Sequence, residues 1–340
     1  MVPGQIGQGT DVESINRIRD ELLESRIVEG TNLETYWETR DKYYSMIESI
    51  YNEPNDISVR TNMDKYWSAW QELSTYPESD AARQAVVVRG QTLANSIQQQ
   101  YKSLRGIADQ VNGDIEATVK QVNDLARQIA ACNNEIVRVE GMGDNPNDLY
   151  DRRDLLVEKL SGLINVTVTE RDPDEFMVHT DGQVLIQGDL ARQIATVGQI
   201  DNNGYGKLVW TDTKLDAEFH GGTLGALVEL RDKDLRGEMQ TLNTMTLNFA
   251  DLVNDVHRNG IGKNNTTGID FFVQHDFVEN AHGNYDSDGD GVEDHSYIFR
   301  ITGTNTLRPQ EQVGLSGTMT INGAGGNITV AYNATDTVEE

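Results

Sequence analysis

Ile97, Tyr101, Leu104, Ala108, Val111, Ile115, Thr118, Val122, Leu125, Ile129, Cys132, Ile136 and Val139 follow one another at spacings that alternate between four and three. In an α-helix this spacing holds one stripe of side chains on one face. No proline interrupts it for about 40 residues, roughly 60 Å at 1.5 Å per residue. A stripe so long and narrow predicts the seam of an elongated helical bundle or rod rather than the crossover helix of a compact enzyme. Upstream, Leu22, Leu23 and Ile27 begin a stripe that resumes at Leu33, Trp37, Tyr44, Ile47 and Tyr51. Asn52-Glu53-Pro54-Asn55-Asp56 breaks it, because proline cannot continue a helix and Asn and Asp favour turns. A shorter helix is predicted over 59–75, with Tyr66, Trp67 and Trp70 at a spacing that reads as core packing rather than a carbohydrate platform. After the turn at Tyr76-Pro77-Glu78-Ser79-Asp80, the long seam helix begins near Ala81.

Gly141-Met-Gly-Asp-Asn-Pro146 ends that helix, and another is predicted from about Asp148 to Leu163. The pattern then changes. Val166, Val168, Phe176, Val178, Val184, Ile186, Val197 and Val209 fall in short alternating runs parted by Asp172-Pro173-Asp174, Asp181-Gly182, Gln187-Gly188 and Asn202-Asn203-Gly204, the signature of strands joined by hairpin turns. Gly221-Gly222-Thr223 opens a further helix with the stripe Leu224, Val228, Leu235, Met239, Leu242, Phe249, Val253 and Val256. Past Gly260 the chain is β-like again, most clearly at 298–301, 319–321 and 328–330. The expected fold class is α+β with several domains: an antiparallel helical bundle from residues 1–165 and 221–258, a β-rich insertion at 166–220, and a β-rich outer domain at 259–340, expected to be truncated.

Composition fits a rod with much surface. Only 37% of the 340 residues are apolar, and the formal net charge is -27. Such acidity argues against contact with nucleic-acid phosphates and with anionic membranes. No apolar run is long enough to span a membrane, and no basic segment followed by an apolar one opens the chain as a cleaved signal. Cys132 is the only cysteine and lies on the seam, so it reads as a small buried apolar residue.

One local motif carries potential chemistry. Asp286, Asp288, Asp290 and Asp294 occupy positions 1, 3, 5 and 9 of a loop with Gly291 at position 6, and the Val292 carbonyl would add an oxygen. This is the first part of an EF-hand calcium loop, with Tyr297 where the bidentate Glu belongs. Calcium is therefore the candidate ligand, against a plain solvated acidic turn. His275, His282 and His295 lie nearby at a spacing that matches no zinc-site type. Asp148, Asp151, Arg152, Arg153 and Asp154 read as ion pairs one helical turn apart, holding the short helix. No catalytic motif stands out, and the chain reads as a non-enzyme with no required cofactor.

Several segments in a fixed order carry a resemblance: Ile15-Asn-Arg-Ile-Arg-Asp-Glu-Leu22, Tyr36-Trp37, Tyr51-Asn-Glu-Pro54, Tyr66-Trp-Ser-Ala-Trp-Gln-Glu-Leu-Ser74, Asn123-Asp-Leu-Ala-Arg-Gln-Ile129, Asn147-Asp-Leu-Tyr-Asp-Arg-Arg-Asp-Leu-Leu156, Leu160-Ser-Gly-Leu-Ile-Asn-Val166, Gly222-Thr-Leu-Gly-Ala-Leu-Val228, Asn254-Asp-Val-His257 and Gly268-Ile-Asp-Phe-Phe272. Over about residues 12–272 the chain resembles the family of flagellar hook-associated protein 1, FlgK, of the hook–filament junction. The resemblance implies a flagellin-like rod that works as a structural subunit. It implies export by the flagellar type III system to the flagellum, outside the cell or in the periplasm where the flagellum is internal. The implied partners are copies of itself in a ring, the hook protein, another hook-associated junction protein, and an export chaperone for the full-length chain. The family's terminal coiled-coil segments are expected before residue 1 and after residue 340, so the chain reads as part of a longer protein. The competing class is an extracellular calcium-dependent binding module, or an enzyme acting on cell-wall or surface polymers, with the Asp-rich loop as its site. A related junction protein of the same axial structure is the alternative within the structural class.

Overall fold

The computed structural model describes residues 20–51, 58–170, 175–198, 205–273, 278–285, 294–300, 306–307, 317–323, 326–333 and 335–336. Four helices come first, α1 (Glu21–Tyr51), α2 (Val59–Thr75), α3 (Asp80–Glu140) and α4 (Asn147–Leu163). Strands β1 (Thr167–Thr169), β2 (Met177–Thr180), β3 (Gln183–Gln187), β4 (Leu190–Ala191), β5 (Ile194–Gly198) and β6 (Gly206–Trp210) follow. Next come α5 (Gly222–Glu229), a π-helical segment (Leu230–Leu235) and α6 (Arg236–Asn259). The last described strands are β7 (Val278–Tyr285), β8 (Asp294–Arg300), β9 (Thr306–Leu307), β10 (Gly317–Gly323) and β11 (Gly326–Tyr332). The chain is α+β, with long helices and separate antiparallel sheets.

Helix starts follow the side chains that satisfy their free N–H groups. Asp20 Oδ1 accepts from the amides of Leu22 and Leu23 at α1. Ser58 Oγ accepts from Thr61 N at α2, and Ser79 Oγ from Ala82 N at α3. The seam predicted for α3 is buried along its length. Ile97, Leu104, Ala108, Val111, Ile115, Thr118, Val122, Ile129, Cys132 and Ile136 are buried, while Tyr101, Leu125 and Val139 are half-buried. It also extends upstream through Ala82, Val86, Gly90 and Leu93.

Two expected stripes need correction. In α1 the apolar residues Leu22, Leu23, Ile27, Leu33, Trp37 and Tyr44 are exposed. Its buried positions are Tyr43 and Ile47, and the half-buried ones, such as Val28, Asn32, Thr35, Tyr36 and Thr39, are largely polar. Polar side chains pack there because they bond to neighbouring backbone, so hydrophobicity alone marks the wrong face. In the stripe that starts at Leu224, Leu224, Leu235, Met239, Leu242 and Val253 are buried as expected, and the correction is confined to Val256, which is 74% exposed. Between α5 and α6 the π-helical segment inserts a wider turn, which shifts the inward face to Leu230, Arg231 and Leu235.

The chain divides into two units. The first comprises Met1–Arg40, Asp114–Val197 and Gly206–Leu227. It holds the antiparallel sheet β1-β2-β3-β4 and most of the β5–β6 pair. The Asp181-Gly182 turn forms as expected, with φ of 44° and 79° at its two central residues and Thr180 opposite Gln183, the geometry of a tight hairpin with positive φ at both positions. The core of this sheet is Phe176, Val178, Leu185 and Ile186. The second unit comprises Asp41–Gly113, Gly198–Tyr205 and Val228–Glu340. It contains the three-stranded sheet β7-β8-β9 and the hairpin β10–β11. No helix among the described residues is long and apolar enough to cross a membrane.

Candidate functional site

Asp286, Asp288, Asp290 and Val292, four of the five residues proposed to hold calcium, lie outside the described residues, and Asp294 opens β8 with its backbone opposite Tyr285. Among the described residues, no three His, Cys, Asp or Glu side chains gather as a metal site. Cys132 is buried with its thiol against the Leu149 carbonyl at 3.3 Å, and burial pushes the thiol pKa up. The described side chains instead form buried polar ties that fix elements distant in sequence.

In the first unit, the C-terminal end of α4 is such a point. Its last carbonyls have no partner within the helix. Asn32 Nδ2 donates to Ser161 O at 2.8 Å, Thr35 Oγ1 to Gly162 O at 2.7 Å and Thr223 Oγ1 to the same oxygen at 3.1 Å. α1 and α5 thus cap α4 together. The approach of α5 requires glycine. Gly222 has φ +60°, and a Cβ there would lie 2.6 Å from the Leu163 carbonyl carbon and oxygen.

Arg153 is the second tie, and its expected role as an ion pair one helical turn from its partner is corrected. Its side chain is fully buried. It donates to Asn133 Oδ1 at 2.6 Å on α3 and to Glu170 Oε1 at 2.5 Å after β1. Its guanidinium lies 4.0 Å from the centroid of Phe176 and 4.9 Å from that of Tyr150. A planar fork with several donors can bind two acceptors and stack on a ring at once, which lysine cannot do. Asn123 makes the third tie, donating to Ile194 O at 2.8 Å and accepting from Ile194 N at 2.9 Å, so its amide pairs with β5 as a neighbouring strand would.

The second unit repeats the last device. Asn254 on α6 is fully buried, donates to Phe272 O at 2.8 Å and accepts from Phe272 N at 2.8 Å. This pins the segment 271–272 beside the aromatic cluster. Tyr66 is at its centre, with the rings of Trp67, Trp70, Phe249, Phe271 and Phe272 at centroid distances of 5.4 to 6.2 Å. The cluster forms a core as expected, although Trp67 stays 46% exposed at its margin. Asn254→Asp keeps the acceptor and removes the donor, leaving a carboxylate against the Phe272 carbonyl. We expect a loss of about 2–3 kcal/mol in urea unfolding, against well under 1 kcal/mol for the same change at exposed Asn248.

A further tie centres on the π-helical segment. Arg231 forks onto Asp232 at 2.7 and 2.9 Å and donates to Asn112 Oδ1 at 2.7 Å. It also lies 5.7 Å from the centroid of Tyr205, whose hydroxyl donates to Asp109 Oδ1 at 2.6 Å. Burial, then the bond to Asp109, raises the Tyr205 phenol well above its ordinary range. Tyr51 and Tyr150 are raised in the same way, burial first and then the carboxylates of Glu238 and Glu140. Tyr66 is pushed up to about 12 by burial. A phenol whose folded pKa is raised stabilises the fold below its unfolded value of about 10, and that contribution is lost as pH rises toward the folded value. Urea midpoints should therefore fall steeply above about pH 10, and Tyr205→Phe should flatten that fall.

These groups tie together elements that lie far apart in the sequence. Arg153 and Arg231 were legible in principle, since each falls at an apolar-stripe position, 149/153/156/160 and 224/227/231/235, where a charge signals a buried partner.

The family described as "Flagellar hook-associated protein FlgK helical domain" matches residues 44–272. Flagellar hook-associated protein 1 of Bacillus subtilis is 30% identical over 298 residues, covering 79% of this chain and 59% of its own length. Those of Salmonella typhimurium and Escherichia coli K12 are each 30% identical, over 278 and 279 residues, covering 79% of this chain and 50% and 51% of their own lengths. The chain thus spans half to three-fifths of these relatives. The flagellar hook junction protein FlgK from Burkholderia pseudomallei has a similar fold, with a TM-score of 0.68 at 22% identity over 94% of this chain and 61% of that one. With well over half its residues matched to the helical domain, the chain belongs to the FlgK family of flagellar hook-associated proteins.

Proposed function

We propose that this chain is part of a structural subunit at the junction between hook and filament of the bacterial flagellum, acting by packing and without an enzymatic step. The observation that carries this reading is the family match over residues 44–272. The continuously buried seam of α3 and the static polar ties support it, because they serve rigidity rather than turnover. In this reading residues 1–165 and 221–258 form the rod, and residues 166–220 and 259–340 are β-rich outer domains. The partners are copies of the same chain in a ring, the hook protein, the other hook-associated junction protein, and an export chaperone for the full-length chain. No nucleic acid or membrane takes part. The chain reaches the flagellum through the flagellar type III system.

The test is complementation. A strain lacking its own hook-associated protein 1 receives that gene with the matching segment replaced by this chain. Filaments attached to hooks in electron micrographs support the reading. Bare hooks, with the hybrid protein folded and exported into the medium, overturn it. The calcium loop at Asp286, Asp288, Asp290, Val292 and Asp294 is a proposal from sequence alone. Without the twelfth-position carboxylate its dissociation constant should be on the order of 10⁻⁴ to 10⁻³ M. Calorimetric titration of the parent chain and Asp288→Ala tests it, and absence of heat at millimolar calcium leaves a solvated turn.

A further inference from the structure

Asn-Gly occurs four times in the chain, at Asn112, Asn203, Asn259 and Asn322. The dipeptide is chemically labile. The amide nitrogen after the asparagine can attack its side-chain carbonyl carbon, and glycine puts no side chain in the way. The fold does not treat the four alike. Asn112 lies inside α3, with its side-chain oxygen held by Arg231 at 2.7 Å. Asn322 lies within β10, where its backbone is opposite Asn327. Asn203 is outside the described residues. Asn259 is the last residue of α6, and both it and Gly260 are exposed. Asn259 Nδ2 donates to Asp255 O at 2.8 Å, and the Gly260 amide donates to His257 O at 3.1 Å. These are the bonds of a final helical turn, the part of a helix that frays first. From Gly260 the chain folds back along α6 as a strap. Arg258 O accepts from Gly268 N at 2.9 Å and from Thr267 Oγ1 at 2.8 Å, His257 Nδ1 meets Ile269 O at 2.6 Å, and Asn254 holds Phe272.

We propose that Asn259–Gly260 is a site of spontaneous deamidation at the root of this strap. When the last turn of α6 opens, Gly260 N gives its proton to solvent and bonds to Asn259 Cγ. The Cγ–Nδ2 bond breaks, the nitrogen takes a proton from solvent, and ammonia leaves a closed succinimide ring. Water, the only co-reactant, then opens the ring at either carbonyl to give aspartate or isoaspartate. Both products put a carboxylate beside the last carbonyls of α6, where the helix end is already negative, and one turn from Asp255. Isoaspartate also inserts one more carbon into the main chain between Arg258, which anchors the strap, and Gly260, where the strap departs. Both changes loosen its hold.

The test keeps the 340-residue chain folded in mildly alkaline buffer, below the range in which its buried phenols titrate. Peptide mapping by mass spectrometry follows Asn, Asp and isoaspartate at each position. Loss of the Asn259 amide is expected ahead of loss at Asn112 and Asn322, with isoaspartate as the major product. In urea the three should convert at similar rates, because the fold no longer sets them apart. Asn259→Gln should abolish the conversion at this position, since glutamine would have to close a larger ring. Hydrogen exchange reads the strap. The amides of Gly268 and Phe272, bonded to Arg258 O and Asn254 Oδ1, should exchange faster in the converted chain and in Asn259→Asp, but not in Asn259→Gln. Conversion at Asn112 as fast as at Asn259 in the folded chain overturns the proposal. So does an Asn259 left intact after many half-lives of the unfolded chain. Unchanged exchange at Gly268 in the converted chain also overturns it, since the strap would then not depend on this residue.

Discussion

Arg153→Ala is expected to lower the unfolding free energy by about 3–5 kcal/mol, the range for breaking a buried ion pair by removing one partner. The side chain is fully buried, so its loss leaves a cavity against Phe176. It also removes the donor that Arg153 gives to two acceptors, Asn133 Oδ1 and the Glu170 carboxylate. Arg153→Lys should recover little, because one ammonium cannot reach both acceptors and cover the ring. Arg153→Met fills the space but takes the guanidinium away from Glu170. Adding Glu170→Gln to Arg153→Met should therefore recover part of the loss, by about 1 kcal/mol or more. Urea unfolding of the four species of that cycle provides the measurement. If Arg153→Met and Glu170→Gln simply add, Glu170 is not the partner that makes the arginine necessary.

The legible parts of this fold are those governed by local periodicity. The α3 seam could be read because apolar residues fill nearly all of it. Strand positions after Val166 and the Asp181-Gly182 turn could be read because alternation and positive φ leave clear marks. α1 misleads because its packing face is built from Thr31, Asn32, Thr35 and Thr39, while its leucines and Trp37 face outward. The π-helical segment at Leu230–Leu235 has no periodic signature, since one wider turn merely displaces the stripe. The asparagine ties pair residues 71 and 18 positions apart. Only the fold brings those partners together, although Asn123 and Asn254 both belong to the segments that carried the family resemblance.

The same chemical change should have opposite signs at two glycines. Gly30 lies in the middle of α1, and a methyl group added there would have nothing within 4 Å. Gly30→Ala should stabilise by about 0.5–1 kcal/mol, since alanine restricts the unfolded chain and suits a helix interior. At Gly222, φ is +60°, and the added carbon would meet Leu163 C and O at 2.6 Å and Ile164 N at 2.7 Å. These are backbone atoms, so no rotamer change relieves the contact. The left-handed conformation itself costs about 1 kcal/mol for a residue bearing a Cβ. Forcing α5 away from the end of α4 also lengthens the bond from Thr223 Oγ1 to Gly162 O and exposes the buried Leu224 and Leu227. Together these place the loss for Gly222→Ala at about 3–5 kcal/mol. Loss of protection in hydrogen exchange should begin at α5 and the last turn of α4 rather than in the α3 seam. A Gly222→Ala chain as stable as the parent would mean that α5 does not approach α4 closely enough to require glycine.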